Sequence, residues 1–302
     1  MQRTNFTTTH SLIKHSLRLI HKVLAHIEEK NNFKATNNFA LSGGDINQVF
    51  KIETNIRNYV IKINFADRFP EMFQKEASGL EILRNSKTFK IPEVIDLGEF
   101  DGLSYLLLEF IESGQKNSSF YKDFGETLAE MHQVSSEEFG LQDNNYIGEL
   151  PQYNVSKSSA SEFYLSQRLE PQFKMAKQRG FSFSNLNSFY KKVEQSVPDE
   201  APSLVHGDLW SGNYMVDKLQ NPVLIDPAVA FAPRELDFGM MSLFGGFPDS
   251  VYESYQNKFP LQSGWRSRLP MFQLYYLLVH LNIFGSSYLG SVEQAMQRSL
   301  QL

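Results

Sequence analysis

Between two apolar runs, Leu204-Val205 and Tyr214-Met215-Val216, the chain carries HGDLWSGN, which sets His206, Gly207, Asp208 and Asn213 in the pattern HxDxxxxN. Eighteen positions beyond Asp208 another apolar run, Val223-Leu224-Ile225, ends in Asp226-Pro227. One carboxylate, an amide oxygen five residues on and a second acid at a strand end form the set that phosphoryl transfer from ATP requires. An Asp takes the proton of the acceptor hydroxyl, and an Asn and an Asp hold a Mg2+ that offsets phosphate charge. Either fragment alone would read as a turn, because Gly, Asp, Asn and Pro are ordinary turn residues. Their order and their flanking strands argue for a site. Asp208 is the candidate base, and Asn213 and Asp226 are the candidate metal ligands.

Upstream, Lys62 lies inside the apolar run Val60-Ile61-Lys62-Ile63. A buried ammonium is costly without a partner. Glu76, 14 positions on and within a helical pattern, can supply one. In a kinase such a pair holds the lysine against the α- and β-phosphates. Glu81 is the competing acid; it falls on a different helix face, so only one of the two should point inward. Ser42-Gly43-Gly44, between two strand patterns, could let backbone amides approach phosphate oxygens, although a hairpin turn predicts the same residues. Glu109, Phe110 and Ile111 end a strand pattern where adenine would meet the backbone.

The elements that must position these groups follow from periodicity. Residues 10–30 read as an amphipathic helix through Leu12, Ile13, Leu17, Ile20, Leu24 and Ile27. Strand patterns follow at Phe39-Ala40-Leu41, Val49-Phe50-Lys51-Ile52 and Tyr59-Val60-Ile61-Lys62-Ile63, then a helix over residues 69–86. Two further strands follow, at Pro92-Glu93-Val94-Ile95 and over residues 103–108. The polar stretch ESGQKNSS after Ile111 reads as a boundary. Beyond it, helical patterns cover residues 119–134, 160–180, 185–196, 235–258 and 265–300, interrupted by a β-rich stretch at 203–226. The expected architecture is α+β: a small β-rich lobe over residues 1–110 and a larger helical lobe over 111–302.

At 302 residues, with 41% hydrophobic and 21% charged residues, the chain fits two packed units of an ordinary globular protein. A net charge of −5 supplies no basic excess for nucleic acid or for an anionic membrane. The absence of cysteine excludes disulfides, thiolate metal sites and a cysteine nucleophile. The N-terminus has no signal-like apolar core, and the apolar run at 274–279 is too short to span a bilayer, so a cytoplasmic address is expected. Histidines 10, 15, 21 and 26 scatter around a helix rather than forming a metal face. His132 reads as a core or capping residue. Lys174, Lys177 and Arg179 read as a solvated helix face.

HGDLWSGN, GGDINQVF at 43–50, FGLQDNNYIGELPQYN at 139–154, RLEPQF at 168–173, IDPAVAFAPRELDFGMMSLFGGF at 225–247 and QLYYLLVHLNIFG at 273–285 together resemble the fructosamine (ketosamine) 3-kinase family. That family is related to the aminoglycoside and choline kinases. The resemblance runs from about Leu41 to Gly290. It implies a bilobal protein-kinase-like fold. The activity it implies is transfer of the ATP γ-phosphate to the 3-hydroxyl of a ketoamine, either a small molecule or a glycated lysine; the phosphorylated adduct then breaks down and frees the amine. It also implies Asp208 as base, Asn213 and Asp226 as magnesium ligands, and Lys62 with Glu76 as the phosphate-clamping pair. Trp210 then belongs to the sugar site, and Asp237 is a structural or substrate-side acid. Many members carry a cysteine in the glycine turn that allows redox-controlled dimerisation; Asp45 here implies that this control is absent. Ala160 stands where many have tryptophan. A kinase of another hydroxylated amine, aminoglycoside- or choline-like, is the alternative, and a nucleotide-binding pseudokinase the non-enzymatic one.

Overall fold

The computed structural model describes residues 20–21, 23–41 and 46–302. Most of the expected first helix, and all of Ser42, Gly43, Gly44 and Asp45, lie outside the described residues. The chain divides into two units. One holds the described residues up to Ala77 with Pro92–Glu112; the other holds Ser78–Ile91 with Ser113–Leu302. Residues 78–91, inside the span expected for the first lobe, thus pack with the second unit.

The first unit contains helix α1 (residues 23–31) and strands β1 (Ala35–Ala40), β2 (Gln48–Thr54), β3 (Tyr59–Phe65), β4 (Val94–Phe100) and β5 (Leu103–Glu109). Helix α2 (Met72–Asn85) begins in it. The strands form one antiparallel sheet in the order β1-β2-β3-β5-β4. Alternate side chains of a strand face opposite ways. Tyr59, Ile61 and Ile63 of β3 and Leu103, Tyr105 and Leu107 of β5 therefore share one face, buried with Val23, Leu24 and Ile27 of α1. Lys62, in register with Leu106, belongs to the opposite face. Asp96 of β4 pins the end of α1 by accepting from Lys30 at 2.6 Å and from Asn31 at 2.8 Å. β1 starts four residues before the expected strand, at Ala35. ATNNFA lacks apolar alternation because β1 is an edge strand with little to bury.

The second unit is mainly helical. Its elements are α3 (Phe120–Gln133), the hairpin β6 (Asn145–Ile147) and β7 (Leu150–Gln152), α4 (Ala160–Phe163), a π-helical segment (Tyr164–Leu169), α5 (Glu170–Gln178) and α6 (Leu186–Ser196). Strands β8 (Ser203–Val205), β9 (Tyr214–Val216), β10 (Pro222–Leu224) and β11 (Ala230–Ala232) follow. Helices α7 (Glu235–Phe244), α8 (Asp249–Lys258), α9 (Trp265–Phe284) and α10 (Leu289–Leu300) complete it. Two expected helices are broken. The 235–258 pattern stops at Gly245 and Gly246, with φ of 71° and 91°, and restarts after Pro248; the 265–300 pattern breaks at Gly285, φ 86°. Left-handed glycine ends a helix at little cost, which apolar periodicity alone does not register. The core is built around α9, whose Phe272, Leu274, Tyr276, Leu278 and Leu281 are inaccessible to solvent. Its face carrying Tyr275 and Tyr276 reaches the β7–β11 region described next.

Candidate active site

Two short antiparallel ladders assemble the site. β9 and β10 pair Tyr214 with Leu224, and the Ile225 amide donates to the Asn213 carbonyl at 3.1 Å. Asn213 and Asp226, thirteen positions apart in the chain, therefore leave the same end of one hairpin as neighbours. β8 and β11 pair Val205 with Ala230, and the Ala228 amide donates to the His206 carbonyl at 2.9 Å. The turn at Gly207 (φ 81°) passes so close that a Cβ there would lie 2.0 Å from the Ala228 oxygen. Only glycine fits. Asp226 itself holds φ 55°, a left-handed conformation that Asp tolerates better than most residues.

Asp237, near the start of α7, clamps the loop from behind. Its Oδ2 accepts from the His206 amide at 2.8 Å and from His132 Nε2 at 3.1 Å, and its Oδ1 accepts from the Gly207 amide at 2.8 Å. The carboxylate is inaccessible to solvent. Asp237 is thus not a substrate-side group: every direction it faces is filled by protein, and its oxygens serve the loop backbone. His132, read from sequence as a core or capping residue, is buried between Asp237 and the Tyr255 hydroxyl, 2.9 Å from Nδ1. With Nε2 donating to the carboxylate, Nδ1 accepts from Tyr255. His206 makes a parallel brace, its Nε2 donating to the Ile225 carbonyl at 2.9 Å and its Nδ1 accepting from the Asp208 amide at 3.3 Å. Tyr276 of α9 donates its hydroxyl to the Gly207 carbonyl at 2.8 Å. Arg234 fixes the start of α7 through a two-pronged ion pair with Glu200, at 2.7 and 2.8 Å.

Burial lowers the pKa of both His132 and His206, against the opposing pull of Asp237. A depressed histidine pKa contributes stability that is present above its ordinary value and lost as pH falls, because the unfolded chain binds the extra protons. The unfolding temperature is therefore expected to drop steeply as pH falls from about 7 to about 5. His132→Asn should cost stability at neutral pH and flatten that slope, as read by thermal melts across the range.

Asp208 is partly buried, with its carboxylate Oδ2 3.0 Å from Asn213 Nδ2, which also donates to the Asp208 carbonyl at 2.8 Å. Desolvation, then the neighbouring charge of Asp226, pushes its pKa up to about 7 despite the Asn213 hydrogen bond. That suits a group that must take up a proton near neutral pH. Asn213 spends its Nδ2 on Asp208, which turns its Oδ1 the other way. An amide oxygen and a carboxylate, set beside a second carboxylate whose repulsion a cation would relieve, are the hard oxygen donors Mg2+ accepts. Among the described residues no three His, Cys, Asp or Glu converge on one point. Mg2+ needs no such cage, since one or two protein oxygens and the phosphates suffice.

In the first unit Lys62 and Glu76 meet at 2.6 Å, both nearly excluded from solvent, whereas Glu81 is exposed. As expected, only one of the two acids faces inward, and it is Glu76. Glu109 closes β5, its amide donating to the Glu93 carbonyl at 2.8 Å; the Phe110 amide reaches the Asn58 carbonyl at 3.4 Å; Ile111 is buried. Trp210 is 38% exposed. Lys174, Lys177 and Arg179 are exposed as expected, and Arg179 also donates to the Asn282 carbonyl. His26 stacks on Phe100 at 4.4 Å, His21 is exposed, and His10 and His15 lie outside the described residues. The sequence pattern includes His206 but not its bracing role, and it does not single out Tyr276. Their partners are backbone atoms, which leave no residue pattern to find.

The chain has named relatives and solved structural neighbours. The fructosamine kinase family model matches residues 17–302. A "Probable ketoamine kinase" of Enterococcus faecium is 40% identical over 266 residues, covering 84% of this chain and 92% of the relative. The chloroplastic protein-ribulosamine 3-kinase of Arabidopsis thaliana is 36% identical, covering 87% and 82%. Among solved structures, one from Haemophilus somnus 129PT assigned to fructosamine-3-kinase superposes with a TM-score of 0.84 at 26% identity, covering 93% of this chain and 97% of the other. The aminoglycoside phosphotransferase APH(4)-Ia shares the fold at a TM-score of 0.60 and 16% identity. The expected α+β, protein-kinase-like fold is borne out, and the chain is a member of the fructosamine kinase family.

Proposed function

We propose that this protein transfers the γ-phosphate of ATP to the 3-hydroxyl of a ketosamine, a ribulosamine or fructosamine, and does so in the cytoplasm, where ATP is supplied. The observation that carries this reading is the β9–β10 register, which sets Asn213 and Asp226 side by side next to Asp208, in a chain whose relatives are named for that reaction. Asp208 orients the acceptor hydroxyl and takes its proton as the oxygen attacks phosphorus in line. Asn213 Oδ1 and Asp226 are the groups to hold Mg2+, which when bound supplies positive charge against the phosphate oxygens. Lys62, kept extended by Glu76, is assigned to the α- and β-phosphates. Of Glu109, Phe110 and Ile111, the first two amides are engaged within the first unit, and the Ile111 amide is assigned to adenine. Trp210 is assigned to the sugar. The proposed glycine-turn contact by Ser42, Gly43 and Gly44 rests on sequence alone.

The test is ADP release with Mg2+ and ATP against ribulosamines, fructosamines, an aminoglycoside and choline. Turnover confined to the ketosamines is expected. Preference for another hydroxylated amine would move the assignment to that class, and no ADP release with any acceptor would leave a nucleotide-binding fold without chemistry. Lys62→Ala should lower kcat/KM for ATP by roughly 10²-fold, the scale of removing one preorganised charge partner. Unchanged kinetics would remove Lys62 from the phosphate site.

A further inference from the structure

Trp210, Phe244 and Phe284 are 38%, 42% and 52% exposed. Singly exposed apolar residues need no explanation, but a contiguous run of them does. These rings form such a run. Trp210 meets Phe244 edge-on at 6.3 Å between centroids, Phe244 meets His280 at 5.1 Å, and His280 meets Phe284 at 5.5 Å and Tyr288 at 5.0 Å. The lane begins two residues from Asp208 and is held in fixed register to it. Tyr276 bonds the Gly207 carbonyl through its hydroxyl, and one turn later His280 Nδ1 donates to the Tyr276 carbonyl at 2.7 Å. Phe284 follows His280 at i+4 on the same helix face. At the near end, a Cβ on Gly212 would lie 2.4 Å from the Trp210 indole, so one edge of the ring rests directly on that glycine.

We infer that the lane from Phe244 to Phe284 and Tyr288 is the subsite for the amine-bearing arm of the acceptor: an aliphatic stem of a lysine side chain's length, attached to the sugar through a secondary ammonium. The inference rests on the ketosamine reading above. If the sugar hydroxyl meets Asp208 and the sugar lies on Trp210, the remainder of the acceptor can follow the rings that continue from Trp210 through Phe244 to His280. A ketosamine nitrogen is protonated at neutral pH, and cations are attracted to aromatic faces. Burial holds the His280 pKa below its ordinary value, so the ring beside that ammonium carries no charge at neutral pH. The length also discriminates. From an ammonium beside His280, a four-methylene stem of about 5–6 Å spans the 5.5 Å ring step to Phe284, whereas a methylamine adduct would end at His280 and leave Phe284 in water.

Two ketosamines of the same sugar test this, one made from N-α-acetyl-lysinamide and one from methylamine. The wild-type protein is expected to favour the lysine adduct in kcat/KM, and Phe284→Ala to reduce that preference roughly five- to tenfold, the worth of one ring contact at a partly exposed site. Phe284→Tyr should restore it, and Leu219→Ala, at an exposed residue outside the site, should leave it as in the wild type. Equal efficiency on both adducts in the wild type, or a preference untouched by Phe284→Ala, overturns the lane while leaving the ketosamine kinase reading standing. Turnover of neither adduct overturns both.

Discussion

Asp208→Asn is expected to lower kcat by roughly 10²–10⁴-fold, the range for loss of a positioned general base, with ATP affinity changed by little. The carboxamide has nearly the same shape but cannot accept the proton of the acceptor hydroxyl. The backbone contact from Asn213 Nδ2 to the residue 208 carbonyl survives the exchange. A second readout separates lost chemistry from lost structure. Burial and Asp226 raise the Asp208 pKa from 3.8 to about 7. A carboxyl with a raised folded pKa costs stability once ionised, so the penalty grows as pH rises from 4 towards 7 and is complete above it. Metal-free Asp208→Asn should therefore melt higher than the wild type at alkaline pH, with the gap closing towards pH 4. A dead enzyme with a raised melting temperature supports the assignment; a variant with normal turnover removes Asp208 from the role of base.

Asp237→Ala should impair both folding and rate. One carboxylate satisfies two buried backbone amides and a buried histidine. Leaving such partners unpaired costs about 3–5 kcal/mol, visible as a lower midpoint in denaturant. Asp237→Asn is the sharper probe, because the chain should still fold. Its amide must turn an N–H towards one of the loop N–H groups, which displaces the turn at Gly207. A shift of about 1 Å at the reacting group can cost 10²-fold, so kcat should fall on that scale while the KM for ATP holds. Wild-type kcat in Asp237→Asn would overturn the clamp.

What the sequence revealed divides by range. Asp208 with Asn213, and the run Val223-Leu224-Ile225 into Asp226, were legible because each is a local pattern on a strand end. That only one of Glu76 and Glu81 could face Lys62 was legible because helix faces are fixed by spacing. The Asp237 clamp was not legible, since it acts across some thirty positions on backbone groups that any residue provides. The first residues of β1 escaped because an edge strand needs no apolar alternation. The breaks at Gly245 and Gly285 escaped because apolar residues continue on both sides. The π-helical segment Tyr164–Leu169 escaped for a related reason: it runs on between α4 and α5 without interrupting the helix.

At residue 207 the backbone crosses the Ala228 carbonyl with no room for a single additional carbon. Any side chain at this position must pry apart the chain segments that leave β8 and enter β11. The spacing between the acids at 208 and 226 is therefore gauged by a methyl group that is not there. A variant library that spared every charged residue of this enzyme could still disable it through its smallest one.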